Sequence, residues 1–489
     1  MKMNKVATII VAILLVLLLS GGCLLVVYEV NQKNIEAEKA EAEKEVVKYD
    51  YETFADYTSV EAFHAIPSLV VEGGKIGSPY EYGQGVFTLN VSGTTVDDYK
   101  AYLTKLQELG FEKHSDNGED AMEGYVYTAS FKKDDVNLTV YHIVRYEATY
   151  ITTGPKLTLS DHLNYQESYM DGVAADAKTK VHMLELNDNG NSFVIQLKNG
   201  HFIIEDGGTE QDAPYLLDYL ESLTPGDEKP VVEAWFMTHA HGDHYGALKK
   251  IMADPAQVKR IYVDGFYFVD PSSEYMTTNL SQDNSGTAIW FVMNASNTFK
   301  RADGSKSQYY RPTLGQRYYF CDMTIDISLT LDQFPMEAWF AADFNDTSTW
   351  LMHNIEGQKF LHAGDAAETG CKVAMDMFDK EYFELDMFSV LHHGINVYNY
   401  FTDYCTVKTL LYTNRNVGSL YTATWAARKT ENEHLQKSVE ESLAHGEGTV
   451  ILTFPYKVGS SQKAAPLDWK YNDGVRDGKI WDVINGRKE

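Results

Sequence analysis

Four cysteines among 489 residues, Cys23, Cys321, Cys371 and Cys405, are too few and too widely spaced for a disulfide framework or a Cys-x-x-Cys metal knuckle. At most one pair can form outside the N-terminal apolar run, so the fold must rest on its core. Basic residues are also scarce, 42 Lys and Arg against 70 Asp and Glu, and the net charge of −28 repels polyanions and disfavours nucleic acid. No Gly-x-Ser-x-Gly elbow follows a strand-like segment, which removes a Ser-His-Asp hydrolase, and there is no phosphate-binding P-loop. Long uncharged apolar runs are missing too, with one exception at the N-terminus. What is abundant is aromatic surface, with 33 Tyr and 22 Phe, enough for sizeable cores.

The exception runs from Val6 to Val27 and carries no charge. As a helix it extends about 33 Å at ~1.5 Å per residue, the thickness of a bilayer's hydrocarbon. Lys2 and Lys5 precede it and Glu29, Glu36, Glu38 and Glu41 follow it, so the positive-inside rule predicts a single-pass signal anchor (1–30) in the cell membrane, with the remainder extracytoplasmic. A cleaved or lipid-modified signal ending at Ser20-Gly21-Gly22-Cys23 is the competing reading, but Leu24-Leu25-Val26-Val27 prolongs the apolar run past it. Residues 31–48, rich in Glu, Ala and Lys, read as a solvated helical stalk without the apolar seam of a coiled coil.

A small α+β domain is expected over 49–154. Its centre, residues 85–150, carries a β-α-β-β pattern: Val86 to Val91 as a strand, then a helix opened by the capping box of Thr95 and Asp98, with Val96, Tyr99, Leu103 and Leu106 as its apolar stripe and Gly110 as its stop. Tyr125 to Phe131 and Val136 to Val144 follow as strands. His64, His114, His142 and Asp97-Asp98 lie here without ligand-like spacing, and the domain reads as a spacer or recognition module. Gly154-Pro155 marks its end.

In the large domain expected over 165–489, Val181 to Leu186, Ser192 to Leu197 and His201 to Glu205 read as successive strands, the last ending in Asp206-Gly207-Gly208. After a predicted helix Ala213 to Leu223, the apolar strand Val231 to Met237 delivers Thr238-His239-Ala240-His241-Gly242-Asp243-His244. His239 and His241 can converge on one cation, while Asp243 and His244 turn toward a second as the next helix begins. Imidazole and carboxylate are the ligands of borderline cations, so Zn²⁺, as one or two ions, is the expected cofactor and Mn²⁺ the alternative.

The His-x-His-x-Asp-His pattern, with Asp206-Gly207-Gly208 upstream, resembles the metallo-β-lactamase superfamily. Phe360-Leu361-His362-Ala363-Gly364-Asp365 is similar to the strand that ends in that family's bridging aspartate, and Leu391-His392-His393-Gly394 to its distal histidine motif. Within the superfamily, Asn345-Asp346-Thr347-Ser348 and His392-His393-Gly394 look most like the extracellular domain of competence DNA-uptake proteins, with phosphorylcholine esterases second. The resemblance spans roughly 180–455 and implies an α+β fold, an αββα sandwich following the anchor, stalk and small domain. It implies metal ligation by His239, His241, Asp243, His244, Asp365, and His392 or His393. One departure stands out: no histidine occurs between His244 and His353, where many family members supply a third ligand to the first metal, leaving Asp343, Asn345 or Asp346 as oxygen donors. His362 reads as support behind Asp365 or as plain burial, and His201, His353, His434 and His445 have no partner motif.

The chemistry implied is hydrolysis by a metal-activated water, with Asp243 as the catalytic orienting group, on a small-molecule or cell-envelope substrate carrying a phosphodiester or an ester or lactone bond. The alternative is a surface binding or sensor protein that keeps the fold without turnover. The segment 265–311, rich in Tyr, Phe, Ser and Asn, is expected either to overhang the active face and select substrate or to be a passive surface insertion. Glu431 to Leu443 is expected as a helix, Thr449 to Phe454 as a closing strand, and the tail from Gly474 as peripheral.

Overall fold

The computed structural model describes residues 50–82, 85–118, 121–187, 190–271, 285–334, 344–395, 398–414, 433–445 and 448–464. The expected anchor (1–30), the stalk (31–48) and the tail from Gly474 lie outside the described residues. Among the described residues no helix is long and apolar enough to cross a membrane. Three sheets organise residues 53 onward.

The first sheet contains β1 (Lys75–Ile76), β2 (Tyr80–Glu81), β3 (Phe87–Ser92), β4 (Glu112–Asp116), β5 (Val126–Lys133), β6 (Val136–Ile143) and β7 (Ala148–Thr153), in the order β1-β3-β7-β6-β5-β4 with β2 also on β3. Helix α1 (Val96–Glu108) covers one face. Its capping box forms as the sequence predicts, Thr95 Oγ1 accepting from Asp98 N at 3.2 Å and Asp98 Oδ2 accepting from Thr95 N at 2.8 Å. Tyr99, Tyr102, Leu103 and Leu106 are its buried residues, so Tyr102 takes the place expected for Val96, which stays half exposed. Strands β4 and β7 were not predicted. Glu112–Asp116 is a polar edge strand, and Ala148–Thr153 follows a turn in which Glu147 takes a left-handed φ of 46°, so neither shows apolar alternation.

The other two sheets face each other. One contains β8 (Lys180–Met183), β9 (Ser192–Gln196), β10 (Phe202–Asp206), β11 (Val231–Met237), β12 (Tyr262–Val263), β13 (Gly265–Phe268) and β14 (Gln308–Tyr310), closed by β22 (Val450–Thr453) and β23 (Gln462–Lys463). The other contains β15 (Arg317–Phe320), β16 (Met323–Leu329), β17 (Trp350–Ile355), β18 (Gln358–His362), β19 (Glu384–Ser389), β20 (Thr406–Tyr412) and β21 (Glu441–Ala444), hydrogen-bonded in that order. Between them Val181, Phe193, Ile203 and Phe236 of one sheet pack with Ile325, Leu351, Phe360 and Met387 of the other. Helices α2 (Ala213–Leu223) and α3 (Gly242–Met252) cover the first sheet through Leu216, Leu220, Leu248 and Ile251, and α4 (Glu368–Met377) covers the second through Ala374 and Met377. This is the αββα layering expected. The three described cysteines are all free thiols.

Two expectations need correction. Glu441–Ala444, which overlaps the end of the predicted helix 431–443, is a strand pairing in parallel with β20; among the described residues of that segment only 433–437 is helical, because edge pairing to β20 outweighs a weak helical pattern. The segment 265–311 is not simply an overhang. Its two ends are β13 and β14, parallel strands that extend the first sheet, with a helix Ser285–Asn294 between them; residues 272–284 lie outside the described residues.

Candidate metal centre

Parallel strands β10 and β11 run side by side and end together, one in Asp206 and the other in the turn that carries the histidines. Asp206 has φ 59° and is wholly buried. Its Oδ1 accepts from Thr238 N at 2.8 Å and its Oδ2 accepts from Thr238 Oγ1 at 2.8 Å and from His244 Nδ1 at 2.8 Å. That last bond settles the tautomer: His244 carries its proton on Nδ1, and the Nε2 lone pair points the other way. Gly246, one turn into α3, lets the helix press against the 209–210 backbone, where a Cβ would lie 2.6 Å from Glu210 N.

From the facing sheet, β18 ends at His362 and the chain turns at Gly364, φ 53°, to present Asp365. A side chain there would strike Thr238 at 2.8 Å, so glycine permits the two sheets' strand ends to meet. Strand β19 leads to a single turn, Leu391–Gly394, where His392 and His393 both adopt left-handed φ of 50° and 56°. Two successive non-glycine residues in that region are strained, and the second of them, His393, sits at the centre of the site.

The result is one cluster. His244 Nε2 lies 3.1 Å from Asp365 Oδ2, and His393 Nε2 lies 3.3 Å from both Asp365 Oδ2 and Asp243 Oδ2. Ligand atoms of Asp243, His244, Asp365 and His393 all fall within 4.8 Å of one another, and those of His239, His241 and Asp365 do likewise. Asp365 therefore belongs to both groups. His393 presents Nε2 while its Nδ1 is tied to Thr413 Oγ1 at 3.0 Å; His392, about one-fifth exposed, stands at the rim with Nε2 3.5 Å from Asp365 Oδ2. Among the described residues, His244 Nε2, His393 Nε2 and both Asp365 oxygens are buried without a hydrogen-bond partner. Lone pairs facing lone pairs at this depth call for cations between them, and the donor set of imidazole and carboxylate suits Zn²⁺, so the residues fit a metal pair.

Charge follows the same geometry. Burial pushes the Asp243 carboxyl up, but His244 and His393 outweigh it and hold it at about 2. Burial pushes His393 and His244 down, yet Asp365 and Asp243 raise His393 to about 9, and the same carboxylates with Asp206 raise His244, so the protons held on their Nε2 atoms are the ones a cation would displace. His239, buried among other histidines, is pushed well below its usual value.

Of the three oxygen donors named for the first metal, Asp343 lies outside the described residues. Asp346 is used elsewhere, its Oδ1 accepting from Ala367 N at 3.0 Å and Gly370 N at 2.9 Å at the start of α4. Phe344 instead lies against the histidines, its ring centroid 4.7 Å from that of His241. His201 and His434 lie apart from the cluster, each against its own carboxylate, Glu233 and Asp403.

Sequence reasoning missed what stands behind the ligands. Glu205 is fully buried between the sheets and holds His353 Nε2 on one oxygen and His362 Nδ1 on the other at 2.7 Å. His353 Nδ1 donates to Phe360 O at 3.0 Å, so both its nitrogens face acceptors and a proton must be shared with Glu205. His362 Nε2 meets Asn191 Nδ2 at 2.8 Å, and Asn191 N donates to Asp243 O at 3.1 Å. Burial raises the Glu205 carboxyl, but the two imidazoles overcome it and bring it to about 2. The only signal in the sequence is an acidic pair ending an apolar strand.

The layers and the cluster define an αββα protein built to bind metal at the joined ends of two sheets. Residues 187–281 match the model of the family described as the metallo-beta-lactamase superfamily. Among solved structures it is similar to a metallo-beta-lactamase from Cronobacter sakazakii at 14% identity, covering 42% of this chain and 75% of that one with a TM-score of 0.27. It is also similar to Zn(2+)-bound PqqB from Methylobacterium extorquens, at 11% identity over 41% and 56% with a TM-score of 0.24. A metallo-beta-lactamase family protein from Thermus thermophilus aligns at 14% identity over 42% and 67%, TM-score 0.23. No curated protein matches the chain.

Proposed function

We propose that this protein is a metal-dependent hydrolase, held at the cell membrane by residues 1–30 and acting outside the cytoplasm on a phosphodiester or an ester or lactone bond. The observation that carries the reading is the set of partnerless lone pairs on His244, His393 and Asp365, converging beside an Asp243 whose side chain is about one-third exposed. Divalent cations held there would act as Lewis acids and lower the pKa of a water toward neutrality. His239 and His241 would hold a cation with Asp365, and Asp243, His244 and His393 would hold one with the same Asp365. Asp243 faces solvent beside His393 and orients what enters. His392, at the rim with Nε2 3.5 Å from Asp365 Oδ2, is positioned to take up or return a proton. Tests are hydrolysis of bis(p-nitrophenyl) phosphate and of p-nitrophenyl esters with added Zn²⁺ or Mn²⁺; activity absent from Asp243→Ala supports the reading, and inactivity on both substrates removes it.

One observation favours a second reading, a non-catalytic binding or sensor protein: His239, His241 and Asp365 are grouped without a third histidine. Near-stoichiometric metal without turnover across esters, lactones and phosphodiesters would select it.

A further inference from the structure

The first sheet's second face, opposite α1, is turned toward the sandwich. Tyr82 Oη donates to Asp332 O at 3.3 Å, Asn117 Nδ2 to Gly315 O at 2.6 Å and Thr128 Oγ1 to Leu314 O at 3.0 Å, so the two parts are joined by direct hydrogen bonds. Beside these bonds the surfaces separate and leave a cavity of about 360 Å³. Its sheet wall includes Tyr80, Asn90, Tyr146 and Tyr150, and its sandwich wall Phe334 and Asp376. Clefts of this size at the meeting of two folded parts are where ligands commonly bind.

The chemistry of the walls narrows the ligand. Asp332, at the floor, has its charge matched by the two-pronged Arg311, Nη1 to Oδ2 at 2.6 Å and Nη2 to Oδ1 at 2.7 Å. Thr88 Oγ1 and Thr152 Oγ1 satisfy each other at 2.8 Å. The Tyr146 hydroxyl faces the Asp376 carboxylate. Among the described residues no cation on the walls is left to hold an anion, while Arg311 is shared by Asp332 and Asp270 and the Asp376 carboxylate remains as an acceptor on the sandwich wall, which argues against an anionic ligand. What remains is aromatic surface beside an amide. Asn90 and Tyr150 are directly paired across β3 and β7 and so share this face. Tyr150 is stacked from behind on Tyr141, ring centroids 4.8 Å apart and 2° from parallel, which fixes its plane. Its hydroxyl, pushed up to about 12 by burial, stays a neutral donor. Asn90 makes no side-chain hydrogen bond among the described residues, and Gly77 leaves it room, since a Cβ at 77 would lie 2.0 Å from Asn90 Oδ1.

A rigid aromatic plane, a neighbouring amide and a carboxylate acceptor at Asp376 suit a neutral ring with an apolar face and hydroxyl edges. We propose that this cleft binds a saccharide, with the sugar ring against Tyr150 and its hydroxyls on Asn90. The small domain would then supply recognition of a glycan, independently of the metal chemistry in the sandwich.

The test uses the full chain stripped of metal by chelation, so its outcome does not depend on hydrolysis. Chitotriose, maltotriose and xylotriose are offered as probes in saturation-transfer NMR and calorimetry. Binding of at least one is expected, weakened about tenfold or more by Asn90→Ala and by Tyr150→Ala, and less by Tyr150→Phe, which keeps the ring. Asn90→Ala leaves the tyrosine stack intact, so its result stands even where Tyr150→Ala fails to fold. Absence of binding by all three trisaccharides overturns the proposal, as does binding that Asn90→Ala leaves unchanged. Tetramethylammonium bound in their place would also overturn it, in favour of an organic cation.

Discussion

Replacing Asp206 by Asn tests how the site holds its ligands without touching a ligand. Asparagine accepts the left-handed φ of 59° that this position requires. Its Oδ1 keeps the bond from Thr238 N, but an NH₂ group now stands where Oδ2 lies 2.8 Å from His244 Nδ1. Two donors then face each other, and the imidazole relieves the clash by moving its proton to Nε2. That nitrogen is the atom 3.1 Å from Asp365 Oδ2, and once protonated it cannot ligate. Loss of such an outer partner costs about 10–100-fold in metal affinity, or roughly 1.4–2.8 kcal/mol. The measurement is competition for Zn²⁺ against a chromogenic chelator, with thermal melting to show that Asp206→Asn is folded. A folded variant with undiminished affinity refutes the tautomer argument.

Metal content should separate the paired histidines: His393→Ala lowers bound Zn²⁺ by about one equivalent of the pair while His392→Ala retains it, as read by elemental analysis, because only His393 shares the four-residue cluster. Glu205→Gln removes the carboxylate shared by His353 and His362 and strands a buried proton, so urea unfolding should show a loss of about 3–5 kcal/mol. Acid should weaken the fold through His182, which burial drives down to about 3 and which is 1% exposed. The unfolded chain takes up that proton near pH 6.5 and the folded chain does not, so the stability is present above the unfolded value and falls with pH, by about 2 kcal/mol at pH 5. His182→Leu should flatten that slope between pH 7 and 5; an unchanged slope excludes His182 as its source.

Much of the sandwich was legible because its signals are local. Helix Ala213–Leu223 and strand Val231–Met237 appear with the predicted bounds, each being a long, unbroken apolar pattern. The seven site residues named from the motifs are brought together for the same reason: each lies close to a strand's end or in the turn beyond it. Long-range pairing was not legible. Strand β21 depends on β20, and polar β4 on β5, so neither segment announces itself alone. Nor could spacing reveal that His353 and His362 share Glu205, since that contact joins opposite sheets across about 150 positions of chain.

His239, His241, Asp243 and His244 follow the end of an interior strand of one sheet, and Asp365 and His393 follow the ends of interior strands of the other. An ion seated among them would act as a cross-link between the two halves of the sandwich, riveting at one end a body otherwise kept shut by hydrophobic contact and the Glu205–His353–His362 bonds. Such a rivet adds stability in proportion to the logarithm of ion concentration over its dissociation constant. Resistance to heat and proteolysis would then follow the ion supply, and starvation for that ion would loosen the molecule.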